Sequence, residues 1–142
     1  MSLLPRKGIL AIAAVVDVAL QTVGRPISAK TLATRHGLPP RRLESVLQSL
    51  VRDGILRGVR GPRGGYALGC DCRRVTVSDI LRAAGTVDGM EERPASDLVL
   101  NVVLPALAAA EHEFDRTLNR LKLEDVVRQA EKLNAAGSGT GT

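Results

Sequence analysis

Aromatic residues are almost absent from this 142-residue sequence, which has no tryptophan, one tyrosine and one phenylalanine. Because aromatic side chains are enriched in β-strands, their shortage argues against a β-sandwich. Hydrophobic residues nevertheless make up 44% of the chain. This composition favours a modest core of aliphatic side chains between packed helices, in one domain or in two small lobes.

Cysteines are scarce as well, and long apolar runs are missing. Two cysteines do not make the disulfide framework of a small secreted domain, so we expect a cytoplasmic protein. No apolar run reaches the roughly 18 residues that span a bilayer. The N-terminal stretch PRKGILAIAAVVDVAL is similar to a signal peptide, but Asp17 interrupts it and no convincing cleavage site follows. We interpret it as a helix of the mature protein.

Recognisable catalytic motifs are also missing. His36 and His112 have no acid, base or nucleophile at a spacing that indicates catalysis, and the glycines of the chain do not form a phosphate-binding loop before a helix. We therefore expect that the protein is not an enzyme and that both histidines are ordinary surface residues.

Positive charge is concentrated in the first part of the chain. Residues 1–85 carry 14 Lys and Arg against 5 Asp and Glu, whereas residues 86–142 carry 6 against 10. This asymmetry predicts that the first part binds a polyanion and that the second part has a different role. The alternative is a surface whose solubilising charge is merely uneven.

The pattern of residues 8–53 follows the order of a helix-turn-helix unit. A first helix is predicted over 8–22, and Ser28 is a candidate N-cap for a short second helix that Gly37 ends in a left-handed conformation. An amphipathic third helix is predicted over 41–53. The residues expected to face the core are Ile9, Ile12, Ala13, Val16 and Leu20, then Leu32 and Ala33, then Leu43, Val46, Leu47, Leu50 and Val51.

Two short strands joined by a loop rich in glycine and proline come next. The strands are predicted over Ile55–Val59 and Gly65–Leu68, with RGPRG between them. A β-hairpin directly after a helix-turn-helix unit is a wing. A further helix is predicted after Thr76, which forms a capping box with Asp79.

A polar break over residues 86–97 divides the chain. We expect a winged helix-turn-helix DNA-binding domain over 1–85, a linker or sensor segment over 86–97, dimerisation and C-terminal helices over 98–134, and a disordered tail over 135–142. Ser96 or Asp97 caps the long helix, which is predicted to reach about residue 121, and the last helix is predicted over Leu123–Leu133.

A stripe of apolar side chains follows the long helix at heptad-like spacing. Its members are Leu100, Leu104, Leu107, Phe114, Leu118 and Leu121. This stripe predicts a dimer interface, although Glu111 interrupts it and Pro105 should bend the helix. The alternative is that the helix packs back on its own domain.

The polar side of the helix over 41–53 carries groups that can read DNA, since arginine can bond guanine and glutamine can bond adenine. Arginines in the wing suit phosphates, and Arg63 at its tip suits a narrow minor groove. The alternative for the helix is an ordinary solvated face. The residues predicted to contact DNA are Lys7, Ser28, Lys30, Arg41, Arg42, Glu44, Ser45, Gln48, Arg52, Arg60, Arg63, Gly64 and Tyr66.

These residues resemble a known family. Residues 27–89, with RGPRGGYAL as the most specific part, closely resemble the winged-helix domain of the Rrf2 transcription regulators. The later LNRLKLEDVV is similar to the end of that family's dimerisation helix. The resemblance implies a mainly α fold with a small β-hairpin wing, in which a winged helix-turn-helix domain is followed by a long dimerisation helix. It also implies a homodimer that binds a palindromic DNA operator.

Members of this family that sense iron or nitric oxide carry three cysteines between the winged helix and the dimerisation helix, where they ligate an iron–sulfur cluster. Residues 86–97 contain no cysteine here. The family's cluster is therefore not expected, and the cofactor stays unassigned.

Cys70 and Cys72 lie instead in GCDCRR, directly after the wing. Two thiolates are half of a four-coordinate metal site, which Asp71, a histidine or a second chain would have to complete. The two arginines that follow would lower the pKa of a thiol and favour a redox sensor. An intrachain disulfide across one residue is strained, so an interchain or mixed disulfide is easier. Two inert cysteines are the remaining interpretation.

The function predicted from the sequence is a dimeric, sequence-specific DNA-binding transcription regulator, a repressor that responds to a redox or other small signal through Cys70 and Cys72. The alternative is a winged-helix module that docks a protein. The arginine-rich wing disfavours that alternative, because a protein-docking face does not need so many arginines.

Overall fold

The predicted order of helices and strands is present in the computed structural model, which describes residues 4–21, 25–85 and 96–140. The helices of the N-terminal part are α1 (Arg6–Leu20), α2 (Ala29–Arg35), α3 (Pro40–Arg52) and α4 (Val77–Ala83). The hairpin consists of β1 (Leu56–Val59) and β2 (Gly65–Leu68). In the C-terminal part, a π-helical turn over Val99–Val103 leads into α5 (Leu104–Arg120), and α6 spans Leu123–Thr140. The described helices include none that is long and apolar enough to cross a membrane.

Local capping signals begin and end the helices as predicted. The Ser28 hydroxyl accepts a hydrogen bond from the Thr31 backbone N–H at 3.1 Å, which satisfies a donor at the start of α2. Gly37 has φ of 63° after α2, in the left-handed region that favours glycine. Thr76 and Asp79 form the predicted capping box at the start of α4.

Helix α1 turns a different face to the core from the one predicted. The buried residues are Gly8, Ala11, Ala14, Val15 and Val18, whereas Ile9 is 45% exposed. The predicted stripe of Ile9, Ile12, Ala13, Val16 and Leu20 instead lines an open groove, together with Val126 of α6. Ile12, Val16 and Leu20 of this stripe are half-buried at the edge of the core, so only Ile9 among the predicted residues is exposed.

The wing is tied to the helix-turn-helix unit by backbone hydrogen bonds. Strands β1 and β2 pair antiparallel, with Leu56 opposite Leu68 and Val59 opposite Gly65. Tyr66 also pairs with Ile27, the residue before the N-cap of α2, through N–H···O bonds of 2.9 and 2.8 Å. The wing therefore cannot move without breaking contacts at the start of α2.

Gly65 allows this close pairing. Its φ is 151°, and a Cβ atom at this position would overlap the carbonyl group of Ile27. Neighbouring Gly64 is similarly restricted, because a Cβ atom there would overlap the carbonyl oxygen of Val59. The two glycines are thus required by the packing of the hairpin itself.

One hydrophobic core unites the winged helix with the start of α6. The large side chains that are fully buried are Leu32, Leu43, Leu47, Leu50, Leu56, Ile80, Leu81 and Leu123. Leu123 comes from α6, and its N–H donates to the Val75 carbonyl at 2.8 Å. The Val77 N–H donates in turn to the Leu121 carbonyl at 2.8 Å. The junction between α5 and α6 is therefore held directly against the segment that follows the wing.

Helix α5 contacts the domain through its C-terminal part, where Asp115 and Asn119 reach α4. None of its side chains is buried. The irregular turn predicted from Pro105 takes the form of the π-helical turn, in which the Leu104 N–H donates to the Val99 carbonyl. Such a turn accommodates the proline, which has no N–H to continue the regular pattern.

Helix α6 is longer than predicted. It continues past Leu133 to Thr140, so residues 135–140 are helical where a disordered tail was expected. The alanine pair that follows Asn134 has high helix propensity, which favours the first residues of this extension. The predicted linker over 86–97 lies outside the described residues, except for its last two residues.

Replacement of Gly65 tests the attachment of the wing. Gly65→Ala is expected to lower the free energy of unfolding by about 1–3 kcal/mol, because the new methyl group meets the Ile27 backbone. Gly58→Ala is the matched control, since a Cβ atom at that position meets nothing within 4 Å. It should change stability by less than about 0.5 kcal/mol. Equal effects in urea unfolding of the two variants would contradict this account.

Candidate nucleic-acid interface

Helix α3 separates its core side from a polar outer side. Leu43, Val46, Leu47 and Leu50 are buried. The predicted reading residues Arg41, Arg42, Glu44, Ser45, Gln48 and Arg52 are all exposed. The hydroxyl of Ser45 donates a hydrogen bond of 3.3 Å to the Arg42 carbonyl, so this donor is already satisfied within the helix. The longer side chains of Arg41, Arg42 and Gln48 are available to a partner.

The wing presents a second set of exposed arginines, Arg57, Arg60 and Arg63. Its tip is closed by a hydrogen bond of 2.9 Å from the Gly64 N–H to the Gly61 carbonyl. Tyr66, which was predicted to contact DNA, is half-buried and packs against the core. Its backbone pairs with Ile27 and anchors the wing.

Arginines differ sharply in whether they have a carboxylate partner. The arginines that form ion pairs all lie outside α3 and the wing, among the described residues: Arg35, Arg73, Arg82, Arg116 and Arg128. Arg6, Arg25, Arg74 and Arg120, which also lie outside these two elements, form none with those residues. Within the described part of the chain, no ion pair holds an arginine of α3 or of the wing. Unpaired guanidinium groups that lie close together repel one another, and a polyanion removes that cost.

Three further residues predicted to contact DNA lie at the starts of helices. Lys7 is exposed in the first turn of α1, and Lys30 is exposed in the first turn of α2. Ser28 caps α2, and its hydroxyl also lies 2.9 Å from the Thr31 hydroxyl. The capping role accounts for Ser28 without a DNA contact.

His36 is not the ordinary surface residue that the sequence suggested. Its Nε2 atom lies 3.2 Å from a carboxylate oxygen of Asp17, whose side chain is only 14% exposed. Arg35 donates to the other oxygen of Asp17 at 2.6 Å. These contacts fasten the end of α2 to α1. Sequence patterns missed them because the partners are 18 and 19 residues apart.

The thiols of Cys70 and Cys72 have an environment opposite to the one predicted. Burial raises the pKa of Cys70 above its usual range, and the nearby Cys72 and Asp71 raise it further. Burial and Asp71 likewise raise the pKa of Cys72. The prediction that arginines lower these pKa values is wrong, because Arg73 is turned onto Asp71 by hydrogen bonds of 2.8–3.2 Å. The same bonds lower the pKa of the Asp71 carboxyl to about 2.

The backbone around these cysteines connects two parts of the fold. The Cys70 thiol donates to the Ile55 carbonyl at 3.5 Å, at the base of the wing. The Cys72 carbonyl accepts a bond of 3.3 Å from the Glu124 N–H, at the start of α6. Among the described residues, no group of three or more histidine, cysteine or acidic side chains is placed to hold a metal ion.

The apolar stripe predicted to form a dimer interface is largely uncovered in the single chain. Leu100 is 51% exposed, Leu107 50% and Phe114 37%. Leu104, Leu118 and Leu121 are partly covered. In the part of the chain that the structure describes, side-chain hydrogen bonds fasten the C-terminal part of α5 to the domain. They involve Asp115, which lies 3.3 Å from the Ser78 hydroxyl, and Asn119, which lies 3.4 Å from Arg82.

Comparison with known proteins places this geometry in one family. The Rrf2 family profile, described as iron-dependent transcriptional regulator, matches residues 4–129. The transcriptional regulator IscR of Xenorhabdus nematophila is 30% identical over 139 residues, which are 94% of this chain and 84% of that protein.

Solved structures agree with the sequence match. IscR of T. potens is 28% identical, with a TM-score of 0.73 over 91% of this chain and 88% of that one. CymR of B. subtilis, named as that organism's global cysteine regulator, is 25% identical, with a TM-score of 0.68 over 91% and 98% of the two chains. The chain is therefore a DNA-binding transcription regulator of the Rrf2 family, and not an enzyme.

Proposed function

We propose that this regulator acts as a homodimer in the cytoplasm, binds a palindromic operator and represses transcription by occupying it. The single observation that carries the proposal is the set of unpaired arginines on α3 and on the wing. The Ile27–Tyr66 pairing fixes the position of the wing relative to the helix-turn-helix unit. A rigid pair of cationic elements suits a groove and its flanking backbone at once.

The two elements divide the work of recognition. Helix α3 enters the major groove, where Arg41 and Gln48 meet base edges, and Arg42 contacts the backbone beside it. Arg60 and Arg63 of the wing lie along the flanking backbone or in the minor groove. Lys7, Lys30 and Arg52 add phosphate contacts, which set the register without reading sequence. Residues 1–85 form the DNA-binding part in this proposal.

Residues 98–134 form the dimerisation part, although the start of α6 also belongs to the winged-helix core.

Two uncovered apolar surfaces support self-association. One is the stripe of α5 from Leu100 to Leu121, and the other is the groove on α1 lined by Ile9, Ile12 and Val16. A second copy that brings α5 against both surfaces would bury them together.

A response to thiol chemistry is a second candidate, as an addition to DNA binding. It is favoured by position alone, because Cys70 contacts the base of the wing and the Cys72 carbonyl holds the start of α6. A mixed disulfide with a small disulfide compound would strain both contacts. The raised pKa values of the thiols make this response slow at neutral pH.

Operator selection from random duplex DNA tests the main proposal. The expected result is a palindrome whose half-sites are centred about one helical turn apart. On the selected duplex, Gln48→Ala should cost about 1–3 kcal/mol and relax preference at one base pair, whereas Arg63→Gln should weaken all sequences alike and reduce the salt slope by about 1.

Arg128→Gln is the control for these variants, since Arg128 lies on α6 and pairs with Asp125. Its operator affinity should match that of the wild-type protein. A selection without enrichment, or wild-type affinity that does not change with salt, would favour the protein-docking alternative over DNA recognition.

Disruption of the α5 stripe tests the dimer. Leu107→Glu places a charge on the proposed interface, so light scattering should give a mass near the 15.1 kDa of one chain, against about twice that for the wild-type protein. Leu133→Glu is the control, because Leu133 is a 73% exposed leucine outside the stripe. Dissociation of both variants, or of neither, would contradict the assignment of the interface.

The thiol candidate predicts a specific pH dependence. Because the thiol pKa values are raised, less thiolate is present at a given pH than in an unperturbed cysteine. Alkylation by iodoacetamide should therefore be slower at about pH 8 than that of free cysteine, and should accelerate as pH rises. Any effect of oxidised glutathione on operator affinity should follow the same pH dependence and disappear in the Cys70→Ser, Cys72→Ser variant. A fast effect at neutral pH, or one that persists in that variant, would exclude the mechanism.

A further inference from the structure

A cleft of about 360 Å³ lies between the start of α1 and the start of α3. Its floor is apolar, with Leu10 of α1, Leu38 of the turn before α3 and Val46 of α3. Its rim carries the cations Arg6 and Lys7 from α1 and Arg42 from α3. Two helices that are distant in sequence thus build one pocket with an apolar base and a cationic edge.

The rim of the cleft has no compensating negative charge. Its lining contains no Asp or Glu, and within the described ranges Arg6, Lys7 and Arg42 form no ion pair. The other end of α1 shows the contrast, since Asp17 there is paired with Arg35. Three unpaired cations around one cleft favour an anionic ligand, which would remove their mutual repulsion.

The position of the cleft indicates where the anion comes from. Arg42 and Ser45 line it and also belong to the exposed side of α3. A strand whose bases face α3 would therefore pass the cleft with its backbone. The apolar floor suits the edge of a deoxyribose better than it suits a hydrated inorganic ion.

We infer that this cleft binds one sugar–phosphate unit of the operator backbone, with Arg6 as a phosphate contact beside Lys7 and Arg42. The inference rests on the proposed function and deepens it. Since the cleft joins α1 to α3, a phosphate held there fixes the angle and the depth at which α3 enters the groove. Arg6 is thus a positioning residue for base recognition as well as a backbone contact.

The test compares Arg6→Gln with Arg120→Gln on the operator selected by the wild-type protein. Arg120 is an exposed arginine at the end of α5, without an ion pair among the described residues, so the control removes the same charge elsewhere. Arg6→Gln should reduce the slope of log affinity against log salt by about 1, while Arg120→Gln leaves the slope unchanged.

Neutral methylphosphonate substitutions, placed singly along the operator, locate the contact. One position should weaken binding by the wild-type and Arg120→Gln proteins severalfold, and should have no further effect on Arg6→Gln. Phosphorus NMR with inorganic phosphate alone tests the other source of the ligand, and no line broadening that depends on Arg6 is expected.

Three results would overturn the inference: equal salt slopes for the two variants, a methylphosphonate pattern that Arg6→Gln does not change, or tight binding of inorganic phosphate that requires Arg6. Each can be distinguished from failure of the proposed function. If the wild-type protein selects a palindrome while Arg6→Gln behaves like the control, only the cleft assignment is wrong. If the wild-type protein selects no sequence, the proposed function is wrong.

Discussion

The backbone pairing between Ile27 and Tyr66 is the interaction on which the arrangement of this molecule depends. It joins the wing to the residue before the cap of α2, and Gly65 leaves the room for it. Because α2 and α3 share one core, fixing the wing to α2 also fixes it relative to α3. The wing and α3 therefore form parts of one cationic surface instead of two independent elements.

Unpaired arginines and uncovered apolar side chains indicate which partners the molecule binds. Among the described residues, every ion-paired arginine lies outside α3 and the wing, and no arginine of α3 or of the wing has a carboxylate partner. Apolar side chains are likewise divided into buried and uncovered sets. Helix α1 buries its small residues and exposes Ile9 beside a groove, and α5 buries no side chain. DNA and a second copy of the chain are the partners that we propose for these two surfaces.

Local chemistry made much of the fold predictable. The cap at Ser28, the capping box at Thr76 and the wing strands each depend on residues close together in sequence, and they occur within a residue or two of their predicted places. Periodicity could not decide which apolar face of α1 meets its own core, because both faces carry apolar residues. The pairing of His36 with Asp17 and the direction of the thiol pKa shifts depend on side-chain contacts that spacing does not reveal. The arginine positions were predictable, but their lack of partners was not.

Hydroxyl-radical footprinting combined with guanine methylation interference on the selected operator tests the central claim, that α3 and the wing engage DNA together as one rigid unit. The expected result is a major-groove interference signal and an adjacent protected stretch of backbone or minor groove, with the pair repeated about one helical turn away on the other half-site. Major-groove interference without the adjacent protection, or a single unrepeated footprint, would contradict it.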